Sequence, residues 1–283
     1  MNLISHQARV LVEDLRVNLD GLSCRYERAG SGPPLVLVHG LMGYSFSWRH
    51  AIPVLAQHST VYALDLPGAG LSDYSSDMDC SLTASSQRLL RFMDLADIAS
   101  CDLLGTSHGG ALAMMTAIRS PERVQRLILV APANPWSAHG NFLIPFLSNP
   151  MVAPVFLRLA PRLRILQEYY FRRLFADTRR IRPGTLEGYL ARLRTRASFE
   201  YALSILRTWK QDMRELRSAI PSIAHIPTLL IWGDRDAAVD PASAHVLQAE
   251  FLSCRLLMLE GVGHLPYEEV PEDFNRAVTL FLS

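Results

Sequence analysis

Residues Cys101-Asp-Leu-Leu-Gly105-Thr-Ser107-His-Gly109-Gly110-Ala-Leu-Ala-Met-Met-Thr-Ala117 read as a short apolar strand running straight into a good helix former. At the junction stands Gly105-Thr-Ser107-His-Gly109, a G-x-S-x-G pattern. A chain that turns from strand to helix in so few residues needs small residues at both flanks, because a Cβ there would clash. Such a turn lifts Ser107 Oγ clear of the sheet. It also aims the first helical N–H groups, with the helix's positive end, at any anion formed beside the serine. Ser107 is therefore a candidate nucleophile, and a serine nucleophile needs a base to take its proton.

Outward from this junction, short apolar runs alternate with helical patterns. Pro34-Leu-Val-Leu-Val-His39 is a continuous apolar run of strand length, as expected of a parallel strand buried on both faces. Similar runs are Thr60 to Asp65, Val124 to Val130, Thr228 to Trp232 and Arg255 to Leu259. Leu89, Phe92, Met93 and Ala96 keep helical spacing, and so do Phe274, Ala277, Val278 and Phe281, with Pro271 placed to start that last helix. Near the start, Val10 to Asn18 and Leu22 to Glu27 flank Asp20-Gly21 and predict a hairpin. Strands alternating with helices predict an α/β fold: a mostly parallel sheet of about eight strands with helices on both faces.

The charge is unevenly spread. Residues 134–226 hold 15 basic and 6 acidic side chains, a balance of +9, whereas the remainder stands at −8 and the whole chain at +1. Proline-containing stretches bracket this block, Ala131-Pro-Ala-Asn-Pro135 before it and Ile220-Pro-Ser-Ile-Ala-His-Ile-Pro227 after it. Its segments Phe156 to Phe175, Leu186 to Leu193 and Phe199 to Leu216 have helical spacing. The expected organisation is a core of residues 1–133 and 227–283, with a helical cap, residues 134–226, inserted between the sixth and seventh strands. The cap's aromatic residues are expected to form its core and in part to roof an apolar pocket. Its arginines read as solvated helix faces, an anionic substrate or an acidic lipid surface being the sharper alternative.

Composition excludes several classes. Net charge near zero argues against a nucleic-acid binder built on bulk charge. No apolar run reaches the ~18–20 residues of a membrane-spanning helix, and the first twenty residues show no secretory signal. Cys24, Cys80, Cys101 and Cys254 lie far apart, without CxxC spacing, and predict buried free thiols in a cytoplasmic, reducing compartment. Cysteine and histidine spacing offers no metal-ligand cluster.

Among nine histidines, His264 is the best placed base: Glu260-Gly-Val-Gly263-His264 follows the last strand and precedes the final helix. It thus belongs to the carboxyl edge of the sheet, where Ser107 also emerges. His6, His50, His58, His139, His225 and His245 lack such placement. An acid to orient the imidazole is expected at the end of another strand, and Trp232-Gly-Asp234-Arg-Asp236 supplies two candidates.

Four landmarks, His39-Gly40-Leu41, Asp65-Leu-Pro-Gly68-Ala-Gly70-Leu-Ser72, Gly105 to Gly109, and Gly233-Asp-Arg-Asp236 with Gly263-His264, give the chain a plain resemblance to the α/β-hydrolase superfamily. It is similar to the capped branch of carboxylesterases, C–C bond hydrolases and epoxide hydrolases over nearly its whole length. The resemblance implies that the acid is Asp236, three residues past the glycine, with Asp234 as a turn-stabilising carboxylate. It also implies an oxyanion hole from the backbone N–H groups of Leu41 and His108, and structural roles for His39 and Asp65. A serine at position 107 argues against epoxide hydrolases and haloalkane dehalogenases, which need a carboxylate there.

The expected activity is cleavage of a carboxylic ester by acyl transfer through Ser107, His264 and Asp236, without cofactor or metal, on a small apolar ester-like substrate. The alternatives are a C–C hydrolase of ring-cleavage diketones and a ligand receptor on the same fold. The C–C hydrolases usually carry a Gly- and Pro-rich segment after His-Gly and an aromatic residue after the histidine. Here Leu41-Met42-Gly43-Tyr44 and His264-Leu265 stand instead. Oligomeric state is left open, a homodimer among the options.

Overall fold

A computed structural model describes residues 10–138, 146–147 and 149–283. Eight strands form one sheet in the order β1-β2-β4-β3-β5-β6-β7-β8. They are β1 (Val12–Leu19), β2 (Leu22–Ala29), β3 (Pro34–Val38), β4 (Thr60–Leu64), β5 (Cys101–Thr106), β6 (Val124–Val130), β7 (Thr228–Gly233) and β8 (Cys254–Leu259). β1 and β2 pair antiparallel through the Asp20-Gly21 turn, where both residues have positive φ, as the twist of a two-residue hairpin requires. β2 also runs antiparallel to β4, and every pairing from β4 to β8 is parallel.

The apolar strands are buried on both faces. Val36 and Val38 of β3 face one core with Leu103, Leu127, Leu129 and the helix residues Leu89, Phe92 and Met114. Leu35 and Leu37 face the other, with Leu104, Ile128, Ile231, Trp48, Phe274 and Val278. The period-2 alternation of a strand puts neighbours in different cores, which is why Leu35 to Val38 of β3 are apolar at every position. The helices Leu82–Leu95, His108–Arg119 and Pro271–Leu282 cover the faces, the first capped by Ser81, whose hydroxyl accepts the Ala84 N–H at 3.2 Å.

Between β6 and β7 the described residues include the α-helices Ala153–Leu159, Arg164–Arg172, Thr185–Arg192 and Arg196–Ala219. Ala153, Leu157, Leu190, Leu193, Phe199 and Leu203 make a small cluster of their own. The block does not stand apart, however. Tyr201, Ile205 and Leu216 join the first sheet core, and Phe171, Phe175 and Tyr189 join the second. Asp212, buried on the longest of these helices, accepts the Leu82 N–H at 3.2 Å and the Thr208 hydroxyl at 2.7 Å. Two aromatic residues expected in the cap's interior, Tyr169 and Tyr170, are exposed instead.

Cys24, Cys80 and Cys101 are buried, Cys254 is half-buried, and all four are free; burial pushes the Cys101 thiol up to about 12. Among the described residues no helix is long and apolar enough to cross a membrane.

Candidate active site

Ser107 follows β5 directly and caps the helix His108–Arg119, with φ +52° and ψ −123°. A positive φ at a non-glycine residue is strained by roughly 1–3 kcal/mol and persists only when its surroundings enforce it. The surroundings here are backbone. The Ser107 N–H donates to the Val130 carbonyl at 2.9 Å, and the Ser107 carbonyl accepts from Gly110 at 2.9 Å and Ala133 at 2.9 Å. A Cβ on Gly105 would strike the Gly109 carbonyl, and one on Gly109 would strike the carbonyls of Val38 and His39. Both glycines of the pattern are therefore required by contact, as the turn geometry predicts.

The loop after β3 runs against the serine: a Cβ on Gly40 would lie 3.1 Å from Ser107 Cβ. This loop is a turn in which the Gly43 N–H donates to the Gly40 carbonyl at 3.0 Å. His39 pins it further. Its Nε2 accepts the Leu66 N–H at 3.1 Å, so Nδ1 carries the proton and donates to the Gly40 carbonyl at 2.8 Å. Burial holds this imidazole below its ordinary pKa and hence neutral. Leu41 comes next in this turn, and His108 follows Ser107 directly, at a helix start that leaves its N–H without an intrahelical acceptor. Asp65, fully buried, accepts the N–H groups of Ser45 at 2.7 Å and Leu71 at 2.9 Å and so holds the neighbouring loops.

The carboxyl ends of β7 and β8 supply the other two groups. His264 Nδ1 lies 2.7 Å from Asp236 Oδ2, and both side chains are buried. The other oxygen of Asp236 accepts from the N–H groups of Ala238 at 2.7 Å and Val239 at 3.0 Å. A carboxylate so held keeps one oxygen for the imidazole and fixes its tautomer, with the proton on Nδ1 and Nε2 left as a base. Asp234 is exposed and accepts the Gly261 N–H at 2.7 Å, closing the β8 turn. The structure pairs Asp236, not Asp234, with the histidine. Ser107, Asp236 and His264 all leave the same edge of the sheet.

The ring of His108 is buried, with Nε2 unpartnered among the described residues, and burial beside His39 pushes its pKa down to about 4. Of the remaining histidines, His6 and His139 lie outside the described residues. Among the described residues no group of three or more His, Cys, Asp or Glu side chains is arranged to hold a metal ion.

Sequence reading missed Glu269. This buried carboxylate accepts the Gly263 N–H at 3.0 Å, immediately before His264. It also accepts the N–H groups of Ala176 at 3.1 Å and Asp177 at 3.2 Å from the helical block, and is bridged by Arg180 at 3.2 Å. Beside it, buried Glu268 binds Arg49 through both oxygens, at 2.5 and 2.7 Å, and accepts the Tyr189 hydroxyl at 2.8 Å. The only sequence signal is a pair of adjacent acids, Glu268 and Glu269, in the short helix Pro266–Glu269, and acids at such positions usually face water.

A family model described as alpha/beta hydrolase fold matches residues 33–271. The pimeloyl-[acyl-carrier protein] methyl ester esterase of Aeromonas hydrophila is 29% identical over 268 residues, covering 92% of this chain and 100% of that one. An uncharacterized protein of Mycobacterium tuberculosis is 30% identical over 262 residues, which are 90% of this chain and 76% of that protein. Among solved structures, a membrane phospholipase A described as a bacterial virulence factor matches with a TM-score of 0.80 at 27% identity, covering 96% of this chain and 86% of that one.

Proposed function

The chain belongs to the α/β-hydrolase-fold family, and from that premise we propose that it is a serine hydrolase cleaving a carboxylic ester. The observation that carries the reading is the buried His264–Asp236 pair, 2.7 Å apart, on the sheet edge from which the strained Ser107 emerges. The name of the Aeromonas relative, an esterase, supports the same class of reaction.

In the proposed mechanism Ser107 Oγ attacks the ester carbonyl while His264 Nε2 takes its proton. Asp236 holds the imidazole and stabilises its cation. The carbonyl oxygen becomes an oxyanion beside the N–H groups of Leu41 and His108, at the positive end of a helix, where fixed donors need no reorganisation. His264 returns the proton to the leaving alcohol, and water then hydrolyses the acyl-enzyme by the same route. Residues 134–226 serve as the lid in this reading, over a core of residues 1–133 and 227–283. The lid's apolar side chains contribute binding energy that orients the ester.

The test is a panel of p-nitrophenyl esters, with a dienoate diketone as the C–C substrate, assayed on the wild type beside Ser107→Ala. Ester turnover lost by ~10³-fold or more in the variant, with a serine-directed phosphonate labelling only the wild type, is the expected result. Labelling at another serine, with the variant still active, would overturn the reading.

A further inference from the structure

The helix Arg164–Arg172 turns its apolar side chains the wrong way for a soluble surface. Phe171 packs inward with Phe175 and Tyr189, yet Ile165, Leu166, Tyr169 and Tyr170 are exposed, Ile165 at 87%. On a helix, Ile165, Tyr169 and Arg173 form one row and Leu166 and Tyr170 the next, so these groups share the outer face. Upstream, Met151, Val155, Leu159 and Leu163 follow at steps of four, all exposed, Met151 at 85%. Of sixteen exposed large apolar residues among those described, nine fall between 146 and 170. Single exposed leucines need no explanation, but such a concentration marks an interaction surface.

The charges on the same stretch are of one sign. Residues 146–173 contain Arg158, Arg162, Arg164, Arg172 and Arg173, all exposed, against a single acid, Glu168, which pairs with Arg164 at 3.0 Å. Among the described residues the other four arginines have no carboxylate partner, and Arg173 lies 6.0 Å from the centroid of the Tyr169 ring. A second copy of this chain is a poor occupant, because a two-fold contact would set these unpaired cations against themselves.

We propose that this outer face of the helical block docks on an anionic phospholipid surface. Aliphatic and tyrosine side chains enter the boundary between headgroups and acyl chains, while the arginines meet lipid phosphates. Among the described residues no helix is long and apolar enough to cross a membrane, so this face lies on the bilayer surface. The Leu174 carbonyl, two residues past this helix, accepts the His264 N–H at 2.7 Å, so docking brings the bilayer to the block that touches the candidate base. The proposal does not rest on the ester reading: Ser107→Ala is expected to bind vesicles as the wild type does.

The experiment is co-sedimentation of the full chain with phosphatidylcholine vesicles, with and without phosphatidylglycerol. The wild type should pellet with the anionic vesicles only, and less at high salt. Arg158→Gln and Arg162→Gln should each weaken binding about fivefold. The double variant Met151→Ser, Ile165→Ser should weaken it about tenfold or more while turnover of a water-soluble short ester is unchanged. No pelleting on anionic vesicles, or equal pelleting of the double variant, would overturn the proposal. So would a wild-type dimer that the double variant converts to monomer, or capture by an acidic protein with no vesicle binding.

Discussion

The carbonyl of Leu174, in the helical block, accepts the backbone N–H of His264 at 2.7 Å. The candidate base is thus tied to the inserted block through its main chain and to Asp236 through its ring. Any movement of the block displaces the imidazole directly, and positional errors of about 1 Å can cost 10²-fold in rate.

Replacing the paired acid tests the ring contact. Asp236→Asn should lower kcat by ~10³–10⁴-fold, because the amide favours the wrong tautomer and leaves the imidazolium unstabilised. Asp234→Asn keeps an acceptor for Gly261 and should leave kcat near wild type. Steady-state kinetics of the two variants would decide between the carboxylates, and a reversed order would transfer the role to Asp234.

Glu269→Gln tests the carboxylate that clamps Gly263, next to His264, to Ala176 and Asp177 of the helical block. The amide keeps the volume but turns a donor toward backbone N–H groups that now meet an acceptor. We expect kcat to fall about 10²-fold with KM nearly unchanged, because the imidazole is moved off its working position. A lower melting temperature with an unmoved kcat would make the carboxylate a purely structural clamp.

His108 predicts a pH dependence of stability. Its folded pKa of about 4 lies below the ordinary value of 6.5, so between these limits the unfolded chain binds a proton that the folded chain refuses. Its stabilisation is complete above pH 6.5 and is lost as pH falls toward 4, amounting to about 3 kcal/mol. Urea midpoints at neutral and at mildly acidic pH should converge in His108→Gln relative to wild type. Identical slopes would show that the ring does not resist protonation.

Excision of residues 134–226 should give an insoluble protein. Tyr201, Ile205, Leu216, Phe171, Phe175 and Tyr189 fill both sheet cores, so deletion uncovers apolar surface on both faces. Expression of the core with a short linker and recovery in the soluble fraction is the measurement. A soluble, cooperatively folding product would show that the block is a detachable unit.

The sequence by itself determined the sheet and which candidate residues stand along its edge. Strand runs, the Asp20-Gly21 hairpin and the final helix at Pro271 are local signals, since period and turn chemistry record each element's own burial. One side of the turn around Ser107 is equally local, because the Gly109 carbonyl suffices to demand glycine at 105, whereas Gly109 answers to the carbonyls of Val38 and His39 at the end of a distant strand. The residues alone left Asp234 and Asp236 both open and the family resemblance implied Asp236; the pairing itself is tertiary, because the imidazole that meets Asp236 lies 28 residues along the chain. The tertiary structure alone revealed Glu269, whose partners at Ala176 and Asp177 lie more than 90 residues away, and the exposed row from Met151 to Tyr170. An apolar period says that a helix has an apolar face, but whether that face meets a core or solvent depends on how distant elements pack around it.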